Sequence, residues 1–267
     1  PKGYANLPII LAEGLNIECG AVVKEIKIQQ DGCLVKFSND SKRNFKTLKA
    51  DAVLCTVPLG VLKKCIDPKE TEEKSFINFC PPLPKSKVDA INRLGFGNLN
   101  KVVLCFDRVF WDPSRHMFGY INEKTEARGE FFLFWTIYNE PTVIALVAGK
   151  SSSKIEYLSE EIVVERCLHV LRTIFSQDQV PPPKETMVTR WANDPFSCGS
   201  YSFVAVGASG QDYDVLAQSL PETGSRPKLF FAGEHTCRRY PATVHGAVIS
   251  ALQQAGYIAN ELLESCL

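Results

Sequence analysis

Apolar and polar residues alternate over 22–29, where Ile26 and Ile28 stand between Glu25, Lys27 and Gln29. A period of two predicts a half-buried strand. Gln30-Asp31-Gly32 then predicts a tight turn, with a returning strand over 33–37. A second turn at Asn39-Asp40-Ser41 leads into a short strand over 45–50. Residues 52–55 are an unbroken apolar run stopped by Pro58, which predicts a buried strand, with a helix over 59–64. Ahead of these, 7–14 reads as a short helix ended by Gly14 and 17–19 as a strand. Residues 67–80 are polar and irregular, and Pro81-Pro82-Leu83-Pro84 introduces a helix over 85–94.

The second half opens on Gly95-Phe96-Gly97-Asn98-Leu99-Asn100, read as a glycine-rich turn, followed by an apolar strand over 101–106. Further strands are predicted at 117–121, 130–137, 143–147, 185–191 and 228–232. Two stretches carry helical periodicity. Over 162–175 it runs through Ile162, Val163, Cys167, Leu168, Val170, Leu171 and Ile174, and the closing segment keeps it from Val244 through Val248, Ala251, Leu252, Ala255, Ile258, Ala259 and Leu262. The pattern predicts an α/β chain, a mixture of helices and sheet with much of the sheet antiparallel.

Composition narrows the class. The 267 residues are 45% hydrophobic and 22% charged, ordinary for a globular chain and unlike disordered or fibrous ones. Thirty basic and thirty acidic residues cancel, so no overall field favours nucleic acid. No apolar run approaches the roughly 20 residues that span a bilayer. The ten cysteines include no C-x-x-C pair and several lie inside apolar runs, such as Cys55 and Cys105. That argues against structural zinc and for free thiols in an intracellular protein. The start, Pro1-Lys2-Gly3-Tyr4, shows neither an initiator Met nor a leader pattern, as expected of a processed start or a piece of a longer protein.

Three constellations carry candidate chemistry. In the first, a buried strand ends at Gly233-Glu234 and a loop through Tyr240-Pro241-Ala242-Thr243 feeds the closing helix. Strand ends and helix starts of this kind receive ligands, although an ordinary capped turn has the same look. In the second, Lys101 begins an apolar strand, where poor solvation suits an amine to proton transfer and where a strand-edge lysine also reaches water. In the third, Trp191, Phe196, Tyr201 and Phe203 crowd a turn-rich segment, as aromatic walls around a methylammonium group or a flat cofactor do, or as core aromatics do. No G-x-G-x-x-G follows a predicted strand, and P-loop, G-x-S-x-G and HExxH motifs are absent.

Taken together, Ala52-Val53-Leu54-Cys55-Thr56-Val57-Pro58-Leu59, the stretch from Leu94 to Trp111, and the stretch from Phe231 to Ala247 resemble the carboxyl-terminal half of flavin-dependent amine oxidases. Within that family the chain is most similar to the lysine-specific histone demethylases. The resemblance implies an FAD-linked amine oxidase-type fold, with an FAD-binding part (about 1–62 and 220–267) interleaved with a substrate-binding part (about 63–219). The family's amino-terminal Rossmann half, its helical tower for a corepressor and its acidic histone-binding stretch would all lie before Pro1.

The resemblance also implies roles. Lys101 is the lysine that holds a water against flavin N5. Glu234 meets the ribityl chain, Thr243 and Val244 the isoalloxazine edge, and Val23 the adenine through its backbone. Thr56 and Pro58 lie beside the cofactor, while Trp135, Trp191 and Tyr201 surround flavin and substrate. Phe196 stands where the nearest relatives carry Trp. The implied activity is FAD-dependent oxidative demethylation of lysine on histone tails in the nucleus, releasing formaldehyde and hydrogen peroxide, with no metal and no membrane. A polyamine oxidase of the same family, and a non-catalytic piece unable to hold FAD, are the two rival readings.

Overall fold

The computed structural model describes residues 3–39, 44–71, 73–137, 140–221 and 226–264. The expected turn at Asn39-Asp40-Ser41 and the tenth cysteine, Cys266, fall partly or wholly outside these residues. A 3₁₀ turn and the helix α1 (Asn6–Leu11) open the chain, and α1 buries none of its side chains. Residues 17–19 do not form the expected strand. Gly20, at φ 72°, turns the chain directly after them.

Strands β1 (Val22–Gln29), β2 (Gly32–Ser38) and β3 (Phe45–Ala50) then form an antiparallel meander. Strand β4 (Val53–Cys55) leads into helix α2 (Leu59–Ile66). The polar stretch expected to be irregular contains β5 (Asn78–Cys80), which joins the meander by pairing parallel to β1. Helix α3 (Lys85–Arg93) follows.

The expected glycine turn is instead a strand, β6 (Gly95–Gly97), followed by β7 (Leu99–Cys105). A β-carbon on Gly95 would run into the ring of Phe203, so glycine is what lets that ring lie on the strand. Next come β8 (Met117–Gly119), β9 (Leu133–Thr136) and β10 (Thr142–Ala148). Helix α4 (Gly149–Ile155), which was not foreseen, precedes α5 (Glu160–Phe175). Strand β11 (Glu185–Val188) completes a five-stranded antiparallel sheet ordered β11-β7-β10-β9-β8.

Strand β12 (Tyr201–Phe203) pairs antiparallel with β6. Helix α6 (Gly210–Ala217) starts in a capping box between Ser209 and Asp212. Strand β13 (Leu229–Phe231) returns across the sequence to pair parallel with β4, before the closing helix α7 (Val244–Glu264).

Two cores result. Helix α5 covers one face of the five-stranded sheet through Val163, Cys167 and Leu171, against Val102, Leu104, Phe134 and Val143. Trp111 is buried in this core as a packing residue. The second core gathers β4, β13, α2, α3 and α6 through Leu59, Leu62, Ile91, Tyr213 and Phe231. The nine described cysteines are free thiols. Burial pushes the Cys55 thiol up to about 11, leaving it a small apolar packing group at neutral pH. Among the described residues no helix is long and apolar enough to cross a membrane, and no cluster of His, Cys, Asp and Glu is suited to a metal ion.

Candidate active site

The parallel strands β4 and β13 end side by side, Cys55 opposite Phe231. Beyond their carboxyl ends lie Thr56 and Gly233, where ligands of α/β sheets bind. Gly233 has φ 139°, and a β-carbon there would sit 2.5 Å from the His235 ring. Its N–H donates to Ser250 Oγ of α7 at 2.9 Å, so strand end and helix are locked together.

Glu234 is the joint of this corner. Its Oε1 accepts from the Ser202 N–H at 2.9 Å. Its Oε2 accepts from Ser202 Oγ at 2.7 Å and from the Ala242 N–H at 2.7 Å. One carboxylate thereby ties β12 to the loop that enters α7. A carboxylate offers about four acceptor positions, and three are taken. Thr243 caps α7: its hydroxyl donates to the Tyr240 carbonyl at 2.7 Å and accepts from the Gly246 N–H at 3.0 Å.

From the other core, β7 brings Lys101 to the same place. Its neighbours Val102 and Leu104 point into the core, so Lys101 lies on the opposite, open face of the sheet. The Lys101 N–H donates to Thr189 Oγ1 at 2.8 Å, which pins the strand to the segment leading to Trp191. A cavity of about 350 Å³ at this junction is walled by Thr56, Pro58, Lys101, Trp191, Tyr201 and Glu234. Phe96, Ser197, Gly199, Ser200, Gly233, His235 and Ala247 complete it.

His235 is fully enclosed, and burial, helped by the nearby Lys87 ammonium, pushes its pKa down to about 4. Lys87 is itself buried, donating at 2.9 Å to the carbonyls of Val215, Leu216 and Gln218 at the end of α6, with its ammonium 4.2 Å from the centre of the Phe231 ring. The imidazole at the back of the cavity is therefore neutral at physiological pH.

Six of the eleven candidate residues thus share one cavity. Thr243 and Val244 stand at the mouth of α7 just outside it, while Ala247, one turn along, lines it. Trp135 is 42% exposed on β9. Its register partner Ile144 on β10 lies on the Lys101 face of the sheet, which puts Trp135 on that face, two strands from the lysine. Phe196 is 47% exposed on the loop before β12, and Val23 lies on β1, packed against the second core.

Sequence reasoning missed Phe96, whose ring forms part of the wall. Its signal was the pair of flanking glycines, which mark a close approach rather than a turn. It also missed the Ser202–Glu234 contact, which no local pattern announces.

A larger cleft of about 970 Å³ opens between α6 and α7 around Cys237, Arg238 and Tyr257. It contains none of the candidate residues.

Comparison with known proteins bears on what this corner is. Residues 1–259 match the family described as flavin containing amine oxidoreductase. The chain is 51% identical over 98% of its length to the fruit-fly protein (Drosophila melanogaster) named possible lysine-specific histone demethylase 1. It is 44% identical over 97% of its length to Protein FLOWERING LOCUS D of Arabidopsis thaliana. It is 45% identical, again over 97%, to lysine-specific histone demethylase 1 homolog 1 of rice (Oryza sativa subsp. japonica). It spans 30%, 31% and 29% of those three relatives. With a match running almost end to end and a cavity at the joined ends of two parallel strands, the chain belongs to the flavin-containing amine oxidoreductases, a family of oxidoreductase enzymes.

Proposed function

We propose that this chain forms flavin-facing and substrate-facing walls of an FAD-dependent oxidase that demethylates lysine on histone tails in the nucleus. The observation that carries the reading is the single cavity joining Lys101, Trp191 and Tyr201 to Thr56, Pro58 and Glu234. The corner fits a flavin on two counts. Three aromatic side chains, Phe96, Trp191 and Tyr201, stand in the cavity wall, and Glu234 retains one acceptor position for a sugar-like hydroxyl. Thr56, Pro58, Trp191 and Glu234 would hold the cofactor within the cavity, Thr243 and Val244 would meet it at the start of α7, and Val23 would meet its far end.

When bound, FAD supplies the two-electron oxidation of an N-methyl amine and passes the electrons to dioxygen, with water releasing formaldehyde. The remaining tasks belong to the chain's own residues. Trp191 and Tyr201 present aromatic faces that suit a methylated ammonium and exclude bulk water. Trp135 and Phe196 extend that surface outward for the peptide. Lys101 holds or moves a proton at Nζ, and Glu234 fixes the loop on which the cofactor would rest. In this reading 1–62 and 220–267 form the FAD-binding part and 63–219 mainly the substrate part. A corepressor would engage a segment of the enzyme outside this chain.

The test uses the flavin-loaded enzyme with mono-, di- and trimethyl-lysine histone peptides and with spermine. One formaldehyde and one peroxide per methyl removed from mono- and dimethyl-lysine is expected. The trimethyl peptide, which lacks a lone pair on nitrogen, should be inert. Turnover of spermine alone would establish a polyamine oxidase instead, and failure to retain FAD would establish a non-catalytic protein.

A further inference from the structure

Glu156 follows α4 and is buried, yet none of the ion pairs among the described residues includes it. A buried carboxylate without a cation is costly unless hydrogen bonds replace its water. Four N–H groups do so. Oε1 accepts from Asn98 Nδ2 at 2.9 Å, Asn100 Nδ2 at 2.6 Å and the Ala192 N–H at 3.1 Å. Oε2 accepts from the Asn193 N–H at 3.1 Å. Arg190 does not neutralise the carboxylate; its guanidinium donates to the carbonyls of Ile155, Glu156 and Leu158.

Asn100 carries the connection onward. It is completely buried, and its carboxamide oxygen accepts from the Trp191 N–H at 3.1 Å and from Thr189 Oγ1 at 3.0 Å. Thr189 Oγ1 in turn accepts from the Lys101 N–H at 2.8 Å. The Thr189 N–H also donates to the Lys101 carbonyl at 3.0 Å. A continuous polar chain therefore runs from Glu156 through Asn100 and Thr189 to the backbones of Lys101 and Trp191. None of its first three members lines the cavity.

We propose that Glu156, Asn100 and Thr189 are positioning residues that set Lys101 and Trp191 at the site. The inference rests on the reading of those two residues as parts of an oxidase active site. The buried charge suits this task because two of its partners are backbone N–H groups and a third belongs to the fully buried Asn100, and such networks specify one arrangement. Removing one link shifts the lysine and the indole without opening a cavity in the core.

The test compares Glu156→Gln, Thr189→Val and Lys101→Met in the flavin-loaded enzyme. Thr189→Val keeps the side-chain shape and removes only the hydroxyl, so it remains informative if Glu156→Gln folds poorly. Both are expected to retain flavin while kcat falls about ten- to a hundredfold, with KM within about twofold. The visible circular dichroism of the bound flavin should change in Glu156→Gln, because Trp191 moves. Thr189→Val combined with Lys101→Met should lose no more than Lys101→Met alone, because the group through which it acts is gone. Normal kcat in folded, flavin-loaded Glu156→Gln and Thr189→Val would overturn the proposal, as would fully additive losses in the double variant. Normal turnover of Lys101→Met would sink the underlying reading of the lysine. In that case an unchanged flavin spectrum in Glu156→Gln overturns the positioning of Trp191 separately.

Discussion

Lys101 shows how much a single residue draws from its surroundings. The alternation of β7 puts it on the side of the strand opposite the buried Asn100, Val102 and Leu104, and pairing with β10 and β11 holds its backbone from both sides. In the flavin-loaded enzyme Lys101→Met should leave flavin bound and lower kcat by about a hundredfold or more, the range of a lost proton-transfer group. Steady-state kinetics with the flavin spectrum as control decide this. Near-normal turnover with intact flavin returns the lysine to an ordinary strand-edge role.

His235 yields a second prediction. Its folded pKa of about 4 lies below the ordinary 6.5, so the unfolded chain binds the proton more readily. The neutral imidazole's contribution is therefore complete above pH 6.5 and shrinks as pH falls toward 4. The loss is about 3 kcal/mol at the lower end. Urea unfolding at pH 7 and pH 4.5 should show that fall, and His235→Gln should flatten it. An unchanged pH dependence in the variant would exclude His235 as its source.

Among the elements, α2 and the loop before β12 meet in a close approach behind the Phe96 wall of the site. A β-carbon on Gly60 would lie 2.6 Å from the Phe96 ring, 2.7 Å from the Ser197 carbonyl oxygen and 2.8 Å from that of Cys198. Helix propensity alone favours alanine there by about 1 kcal/mol. Two backbone carbonyls cannot yield as a flexible side chain does, so Gly60→Ala should destabilise by about 1–3 kcal/mol. Denaturant titration checks the sign; a stabilised variant would mean that the loop moves freely.

The same scale explains which elements could be read beforehand. Strands β1 and β3 were legible to their ends because alternation or a clear apolar run is interrupted by turn residues. Helix α4 was not, because two of its three buried side chains are Ser151 and Ser152. Ser152 is there to receive the Asn100 N–H, a polar duty that leaves no apolar period. Helix α6 did carry a readable signal, Ser209 and Asp212 ahead of Tyr213 and Leu216, hidden by its short length.

On the scale of the whole molecule, the cavity is drawn from both cores: Lys101 comes from the sheet under α5, and Thr56 and Glu234 from the ends of β4 and β13. A ligand bound there links the two. A flavin present at a hundred times its Kd adds about 2.7 kcal/mol to the folded state. Stripping flavin from the loaded enzyme should then lower Tm by about 5–10 °C. Calorimetry of the loaded and stripped forms measures this, and coincident melting curves would show that the flavin does not bridge the cores.

The sequence by itself determined the α/β class, most strands, the two long helices and the family, because periodicity and local motifs are written within a few neighbouring residues. It also held the identities of Lys101, Trp191, Tyr201 and Glu234 as candidates. Which of them meet was decided only by tertiary structure. The pairing of β4 with β13 joins segments more than 170 residues apart, and Glu234 reaches Ser202 across 32. Such contacts depend on how two cores dock, and nothing in local hydrophobic spacing records that. The same holds for Glu156 and Asn100. Their burial reads as an error in a linear pattern and makes sense only once four N–H groups from two distant segments, 98–100 and 192–193, converge on one carboxylate.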